Sequence, residues 1–116
     1  MSTELQQLQA ELRQFAQDRE WDQFHSPKNL ATALSIEAAE LLEHFQWLTE
    51  EQSRTLPRDR LDQVGEEIAD VLLYLAQLSD KLGIDPIEAA KRKLLRNAEK
   101  YPIDRSKGSS KKYTEL

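Results

Sequence analysis

Residues 57–83, PRDRLDQVGEEIADVLLYLAQLSDKLG, place large apolar side chains three and four residues apart, which is the spacing of one helix face. The apolar positions are Leu61, Val64, Ile68, Val71, Leu72, Leu75, Leu78 and Leu82. Gly83 then stands where a left-handed residue would stop the helix. The pattern predicts the longest helix of the chain, with an apolar stripe that other helices must cover.

Three further segments have helical periodicity and recognisable start signals. Thr3 is predicted to cap a first helix that runs to about Trp21. The pair Ser26-Pro27 opens a second helix, because Ser caps well and Pro costs little at the first helical position. The pair Asp85-Pro86 opens the last helix, which Pro102 ends. With no strand pattern in the chain, the sequence predicts an all-α fold, a four-helix bundle of antiparallel neighbours.

Length and charge restrict the class of protein. At 116 residues the chain is predicted to form one helical domain over residues 1–102 and a polar tail over 103–116. This tail either becomes ordered over the functional site or is a solvated end. A net charge of -5 argues against binding to nucleic acid, and no apolar stretch approaches the ~20 residues of a membrane span. The absence of cysteine excludes disulfides and thiol catalysis. We expect a soluble cytoplasmic protein that binds neither nucleic acid nor membranes.

Two pairs of acids interrupt the apolar stripes. Glu37 and Glu40 are three residues apart in the second helix, and Glu67 and Asp70 repeat that spacing in the third. Residues 31–53 hold five acids without Lys or Arg, and residues 61–80 hold another five without Lys or Arg. Buried carboxylates need a compensating cation, which neighbouring side chains cannot provide here. The sequence therefore predicts a metal site in which the two pairs face each other.

Oxygen ligands favour Mg²⁺, with Mn²⁺ as the alternative, over iron or zinc. A di-iron bundle would need Glu-x-x-His pairs, whereas His44 follows Glu40 by four residues and His25 precedes the second helix. We interpret His44 as a core residue or a neighbour of the metal ligands. A small anionic substrate such as a polyphosphate would complete a magnesium site of this kind.

Basic and aromatic residues supply further candidate contacts. Lys93, Asn97 and Tyr101 are spaced at i, i+4 and i+8 in the last helix, where they could meet a phosphate, sugar or base. The aromatic residues near the acids in sequence are Trp21, Phe24, Phe45, Trp47 and Tyr74. Such rings can stack on a base, although Trp21 and Trp47 could equally be core residues, and we interpret Phe45 as a core residue.

The motifs EAAE at 37–40, FQW at 45–47 and EIAD at 67–70, followed by KLLRN and KYP, resemble a known family. They are similar to the all-α nucleoside triphosphate pyrophosphohydrolases of the MazG-like superfamily. REWDQFHSPKNLA and the closing SSKKYTEL most resemble the dCTP pyrophosphatase branch. The resemblance extends from about residue 10 to the C-terminus.

This resemblance implies Mg²⁺-dependent hydrolysis between the α- and β-phosphates, which yields a nucleoside monophosphate and pyrophosphate. The implied roles are metal binding by Glu37, Glu40, Glu67 and Asp70, base contacts by Trp21, Trp47 and Tyr74, and substrate contacts by Lys93 and Asn97. It also implies a homodimer or homotetramer with sites at subunit interfaces. Leu12 stands where some members carry a histidine, which leaves the base preference open.

The mechanistic hypothesis is that Glu37 or Glu40 accepts a proton from the attacking water, and the sequence does not choose between them. The leading substrate is dCTP or a modified dCTP. The alternatives are the same chemistry on dUTP or on a broad range of nucleoside triphosphates, a non-catalytic helical interaction module, and a di-metal oxidase.

Overall fold

The computed structural model describes residues 3–116, and within that range it consists of helices and turns without a strand. The long helices are α1 (Glu4–Asp18), α2 (Pro27–Glu43), α4 (Arg58–Leu82) and α5 (Pro86–Lys100), and the short ones are α3 (Glu50–Ser53) and α6 (Ile103–Ser106). The predicted all-α class is confirmed. No helix in the described range has both the length and the apolar sequence needed to cross a membrane.

Local sequence signals set the ends of the long helices. The Thr3 hydroxyl accepts a hydrogen bond from the Gln6 N–H at 3.1 Å, and the Ser26 hydroxyl caps α2 in the same way. The Asp85 carboxylate accepts two N–H groups at the start of α5. Gly83 ends α4 with φ 66°, in the left-handed region where an L side chain would be strained. These four predicted signals are confirmed.

Two boundaries differ from the prediction. α1 ends at Asp18 and not near Trp21, because the chain turns through a left-handed residue at Glu20. The predicted polar connection contains one helical turn, α3, which begins at a capping box formed by Thr49 and Gln52. The same T-x-x-Q signature starts α1 at Thr3, so the signal for α3 is present in the sequence.

The chain divides into two compact units, and the boundary in the sequence lies between Gly83 and Ile84. In the first unit both α1 and α2 pack on α4, and the buried apolar side chains are Ala16, Leu30, Val64 and Ala76. The Gln9 amide donates to the Ala76 carbonyl at 3.0 Å, and Arg13 pairs with Asp80 at 2.7 Å. Both contacts join residues 67 apart, so α1 and α4 run in the same direction. The predicted antiparallel arrangement therefore does not apply to the pair α1 and α4, which are not consecutive in the chain.

The second unit holds α5, α6 and the C-terminal segment. The Tyr113 ring packs edge to face on Tyr101 with 6.0 Å between centroids, and the Lys100 ammonium lies 4.9 Å from the Tyr113 ring centre. These contacts join the polar tail to the C-terminal end of α5. The tail contains α6 and a short 3-10 turn at Tyr113–Glu115. The proposed division at residue 102 and a role for the tail over the site stay predictions.

Candidate metal centre and cleft

Three of the predicted acids come together between α2 and α4. Glu37 projects from α2, and Glu67 and Asp70 project from successive turns of α4. One carboxylate oxygen from each residue lies within 4.8 Å of the other two. Two helices that are separate in sequence therefore bring three carboxyl groups into one small volume.

Two oxygens of this trio lack a hydrogen-bond partner within the described chain. Glu37 Oε2 and Glu67 Oε2 are buried, and neither has a hydrogen-bond partner among residues 3–116. A buried carboxylate oxygen without a partner destabilises the fold, since its hydration is lost without replacement. A divalent cation that accepts oxygen ligands would restore that interaction. The residues present therefore fit a hard divalent metal ion.

The trio also changes the acidity of Glu37. Burial is the main cause that raises the pKa of Glu37, from 4.5 to about 7, and the neighbouring carboxyl groups of Glu40 and Glu67 add to it. The negative charges of Glu40 and Asp70 raise this pKa further. Without a cation, the site therefore keeps a proton on Glu37 at a pH where an exposed glutamate is ionised.

Two cations of the first unit that contact or belong to α4 are paired away from the trio. Arg13 pairs with Asp80, and Lys81 pairs with Asp22, so both ion pairs link α4 to the segment that contains α1. No lysine or arginine occurs in residues 31–53 or 61–80, which include the trio. The geometry thus agrees with the expectation from sequence that the acids lack a local counter-charge.

A cleft of about 370 Å³ opens beside the trio. Its lining residues are Leu8, Glu11, Leu12, Phe15, Ala16, Trp21, His25, Glu37, Asp70, Leu73, Tyr74 and Gln77. The acids Glu37 and Asp70 share this cleft with the rings of Trp21 and Tyr74. The cleft therefore combines metal-binding carboxylates with aromatic surfaces on which a planar ring could stack.

The remaining predicted residues lie elsewhere. Glu40 is not part of the trio, although its carboxyl group affects the pKa of Glu37. Trp47 lies in the turn after α2, where it is 86% exposed and does not line the cleft. Lys93 and Asn97 lie on α5 in the second unit. The metal-binding or catalytic role of Glu40 and the substrate contacts of the other three residues stay predictions.

Sequence reasoning missed several cleft residues. Glu11 and Phe15 lie four residues apart on α1, and Gln77 lies seven residues after Asp70 on α4. Helical spacing shows that each set shares a face, but it does not show which face meets the cleft. Leu12, noted as the departure from the family pattern, also lines the cleft.

Comparison with known proteins identifies the family. A sequence model of the MazG-like family matches residues 32–116, which is most of the chain and includes all four predicted metal-binding acids. This chain belongs to the MazG-like family. The assignment agrees with the all-α fold and with the motifs on α2 and α4.

Individual relatives support the same grouping. The MazG-like chain is 40% identical over 115 residues to dCTP pyrophosphatase 1 of Mus musculus, and 40% identical over 116 residues to that of Homo sapiens. These alignments cover 97% of the chain but 66% of the length of either relative. A crystal structure of a pyrophosphatase from Archaeoglobus fulgidus DSM 4304 superposes with a TM-score of 0.82 at 47% identity. That match covers 88% of this chain and 95% of the archaeal one.

Proposed function

We propose that this protein is a Mg²⁺-dependent nucleoside triphosphate pyrophosphohydrolase that converts dCTP, or a modified dCTP, to the nucleoside monophosphate and pyrophosphate. The observation that carries the proposal is a single cleft in which Glu37 lies beside the rings of Trp21 and Tyr74, with a buried oxygen that has no hydrogen-bond partner among residues 3–116. Relatives named dCTP pyrophosphatase 1 at 40% identity, and a pyrophosphatase at 47%, support the reaction. In this proposal Mn²⁺ can replace Mg²⁺, because both prefer oxygen ligands.

Each part of the cleft has a distinct task in this proposal. Glu37, Glu67 and Asp70 would hold the metal, with Glu40 beside them. A bound Mg²⁺ supplies positive charge that offsets the negative charge of the triphosphate. Trp21 and Tyr74 stack on the nucleobase, which fixes the position of the nucleotide relative to the acids. Lys93 and Asn97 on α5, and Trp47, are proposed as additional substrate contacts.

Glu40 is the better candidate for the proton acceptor. Glu37 belongs to the trio of converging oxygens, whereas Glu40 lies next to it and outside the trio. A carboxylate whose oxygens are not needed as ligands is free to accept the proton of the attacking water. We therefore assign metal binding primarily to Glu37 and proton transfer to Glu40. Water would attack phosphorus as the P–O bond that bridges the α- and β-phosphates breaks, which releases the nucleoside monophosphate and pyrophosphate.

A substrate panel tests the proposal. Natural and modified nucleoside triphosphates are incubated with the protein and Mg²⁺, and pyrophosphate and monophosphate are measured separately. We expect equal amounts of both products, with the highest kcat/KM on dCTP or a modified dCTP. Preference for dUTP, or similar rates on all bases, would change the substrate but keep the chemistry. Release of inorganic phosphate and a diphosphate would contradict the proposed cleavage position.

We further propose that the protein acts as a homodimer or homotetramer. Five large apolar side chains form a stripe along α4, and they are 41–54% exposed in the single chain. They are Leu61, Ile68, Leu72, Leu75 and Leu82. Four of the five recur every seven residues, which is the spacing of a helix-to-helix seam. A second copy of the chain would remove this stripe from water.

Replacement of Ile68 by Glu tests the oligomer. A charge in the middle of the stripe is expected to convert the assembly to smaller species, as measured by sedimentation equilibrium, because an unpaired buried charge is costly. The matched control is Gln63→Glu, which adds the same charge at an exposed position off the stripe. A monomeric unsubstituted chain would contradict the proposal, as would equal behaviour of the two variants.

A further inference from the structure

The turn that follows α1 contains one residue with an uncommon backbone conformation. Glu20 has φ 55°, and within residues 3–116 it is the one residue other than glycine with a positive φ. This conformation is uncommon for L-amino acids, because the Cβ atom crowds the following carbonyl oxygen. A glutamate at this position therefore calls for a structural reason.

Hydrogen bonds identify the turn. The Trp21 N–H donates to the Ala16 carbonyl at 2.9 Å, and the Glu20 N–H donates to the Gln17 carbonyl at 3.1 Å. This pair of bonds is the Schellman closure of a helix, in which glycine usually occupies the position that Glu20 holds here. The closure attaches the Trp21 backbone to the last turn of α1, so the side chain of Trp21 returns toward that helix.

Ring contacts place Trp21 at the cleft. The Trp21 and Phe15 rings meet edge to face, with 5.8 Å between centroids and 68° between planes, and both line the cleft. The Arg19 guanidinium lies 3.6 Å from the Phe15 ring centre and donates to the Phe15 carbonyl at 3.1 Å. Phe15 is therefore held by Arg19 while it contacts Trp21.

The chain is also fixed on the other side of Trp21. Asp22 pairs with Lys81 of α4, and this contact lowers the pKa of the Asp22 carboxyl group. The Glu20 carboxylate, by contrast, is exposed. Within residues 3–116 it forms no hydrogen bond or ion pair, so its contacts do not explain why a glutamate occupies this position. What Glu20 contributes to the turn is its backbone conformation.

We propose that Glu20 is a positioning residue whose left-handed backbone, and not its carboxylate, directs the Trp21 ring into the cleft. As far as it concerns substrate, this inference rests on the proposed function, in which Trp21 stacks on the nucleobase. It predicts that residue 20 tolerates any side chain compatible with positive φ. It also predicts that β-branched side chains, for which this region is least accessible, fail there.

Four substitutions separate the backbone from the side chain. Glu20→Gln removes the charge, Glu20→Gly removes the strain, and Glu20→Val and Glu20→Thr disfavour positive φ. With dCTP and Mg²⁺, we expect Gln and Gly to keep KM within about twofold of the unsubstituted chain. Val and Thr should raise KM about three- to tenfold while kcat changes less than about twofold, because the loss affects base stacking and not the acids. Circular dichroism monitors the helical content of each variant.

A second measurement needs no substrate. The chain has two tryptophans, so a Trp47→Phe background leaves Trp21 as the sole fluorescent indole. In this background Val and Thr at position 20 should increase acrylamide quenching of Trp21, whereas Gly and Gln should not. Equal quenching in all variants would overturn the inference, as would the same rise in KM for Gly and Val. If the unsubstituted chain did not hydrolyse dCTP, the proposed function would fail while the quenching comparison would still decide the role of Glu20.

Discussion

Replacement of Glu67 by Gln is expected to lower the rate of pyrophosphate release from dCTP by at least about 10³-fold, since charge stabilisation by a bound metal contributes several kcal/mol. The expectation follows from the convergence of Glu67 with Glu37 and Asp70 within 4.8 Å. Glutamine keeps the shape of the side chain but removes the negative charge that a metal needs. The measurement is the steady-state rate at saturating Mg²⁺, together with the thermal shift that Mg²⁺ produces.

The matched control is Glu66→Gln, which changes the neighbouring exposed glutamate of the same helix. It should keep both the rate and the Mg²⁺-dependent rise in Tm. In the metal-free protein Glu67→Gln should unfold at an equal or higher temperature than the unsubstituted chain, because it removes a buried charge without a partner. Full activity of Glu67→Gln would contradict the assignment, as would an Mg²⁺-induced rise in Tm equal to that of the unsubstituted chain.

The metal-free protein should lose stability as the pH rises from about 4.5 to about 7, the interval between the ordinary pKa of Glu37 and its value in the fold. Within this interval folded Glu37 keeps a proton that the unfolded chain releases. The free energy of unfolding therefore decreases with increasing pH. The contribution of the protonated group is complete below the lower pH and lost above the upper one. Thermal unfolding in the presence of a chelator, recorded at several pH values, measures the effect.

Glu37→Gln should flatten this dependence, since glutamine does not titrate. With Mg²⁺ the sign should reverse, because the metal binds the deprotonated carboxylates and competes with protons. Asp22 affects the pH dependence of stability in a more acidic range, since Lys81 lowers the pKa of its carboxyl group below the ordinary 3.8. Its contribution is present above that pH and is lost as the pH falls further. A metal-free Tm that rises between pH 5 and 7 would contradict the raised pKa of Glu37.

Local signals predicted the helices well because they act within a few residues. The caps at Thr3, Ser26 and Asp85 and the stop at Gly83 each depend on hydrogen bonds or on φ close to one position. The error at the end of α1 has the same local origin. Glutamate gives no sign that it will adopt the left-handed conformation that glycine usually provides, so the turn at Glu20 could not be anticipated from residue type.

The acids illustrate a different kind of prediction. The spacing of Glu67 and Asp70 put them on one helix face, and the lack of nearby cations suggested a metal site. Whether Glu37 would reach them depended on how α2 packs on α4, which periodicity does not determine. The tertiary structure brings three of the four acids together and leaves Glu40 beside them. That distinction supports separate proposed roles for Glu37 and Glu40.

By itself, the sequence determined the all-α class, the capped starts of the long helices and the acidic motifs that place the chain in the MazG-like family. Only the tertiary structure decided which helix faces form the cleft, that α1 runs parallel to α4, and that Trp21 and Tyr74 line the cleft whereas Trp47 does not. The physical reason is the range of the interactions. Capping and periodicity act over one or two turns, whereas burial and carboxylate convergence depend on packing between segments far apart in the chain.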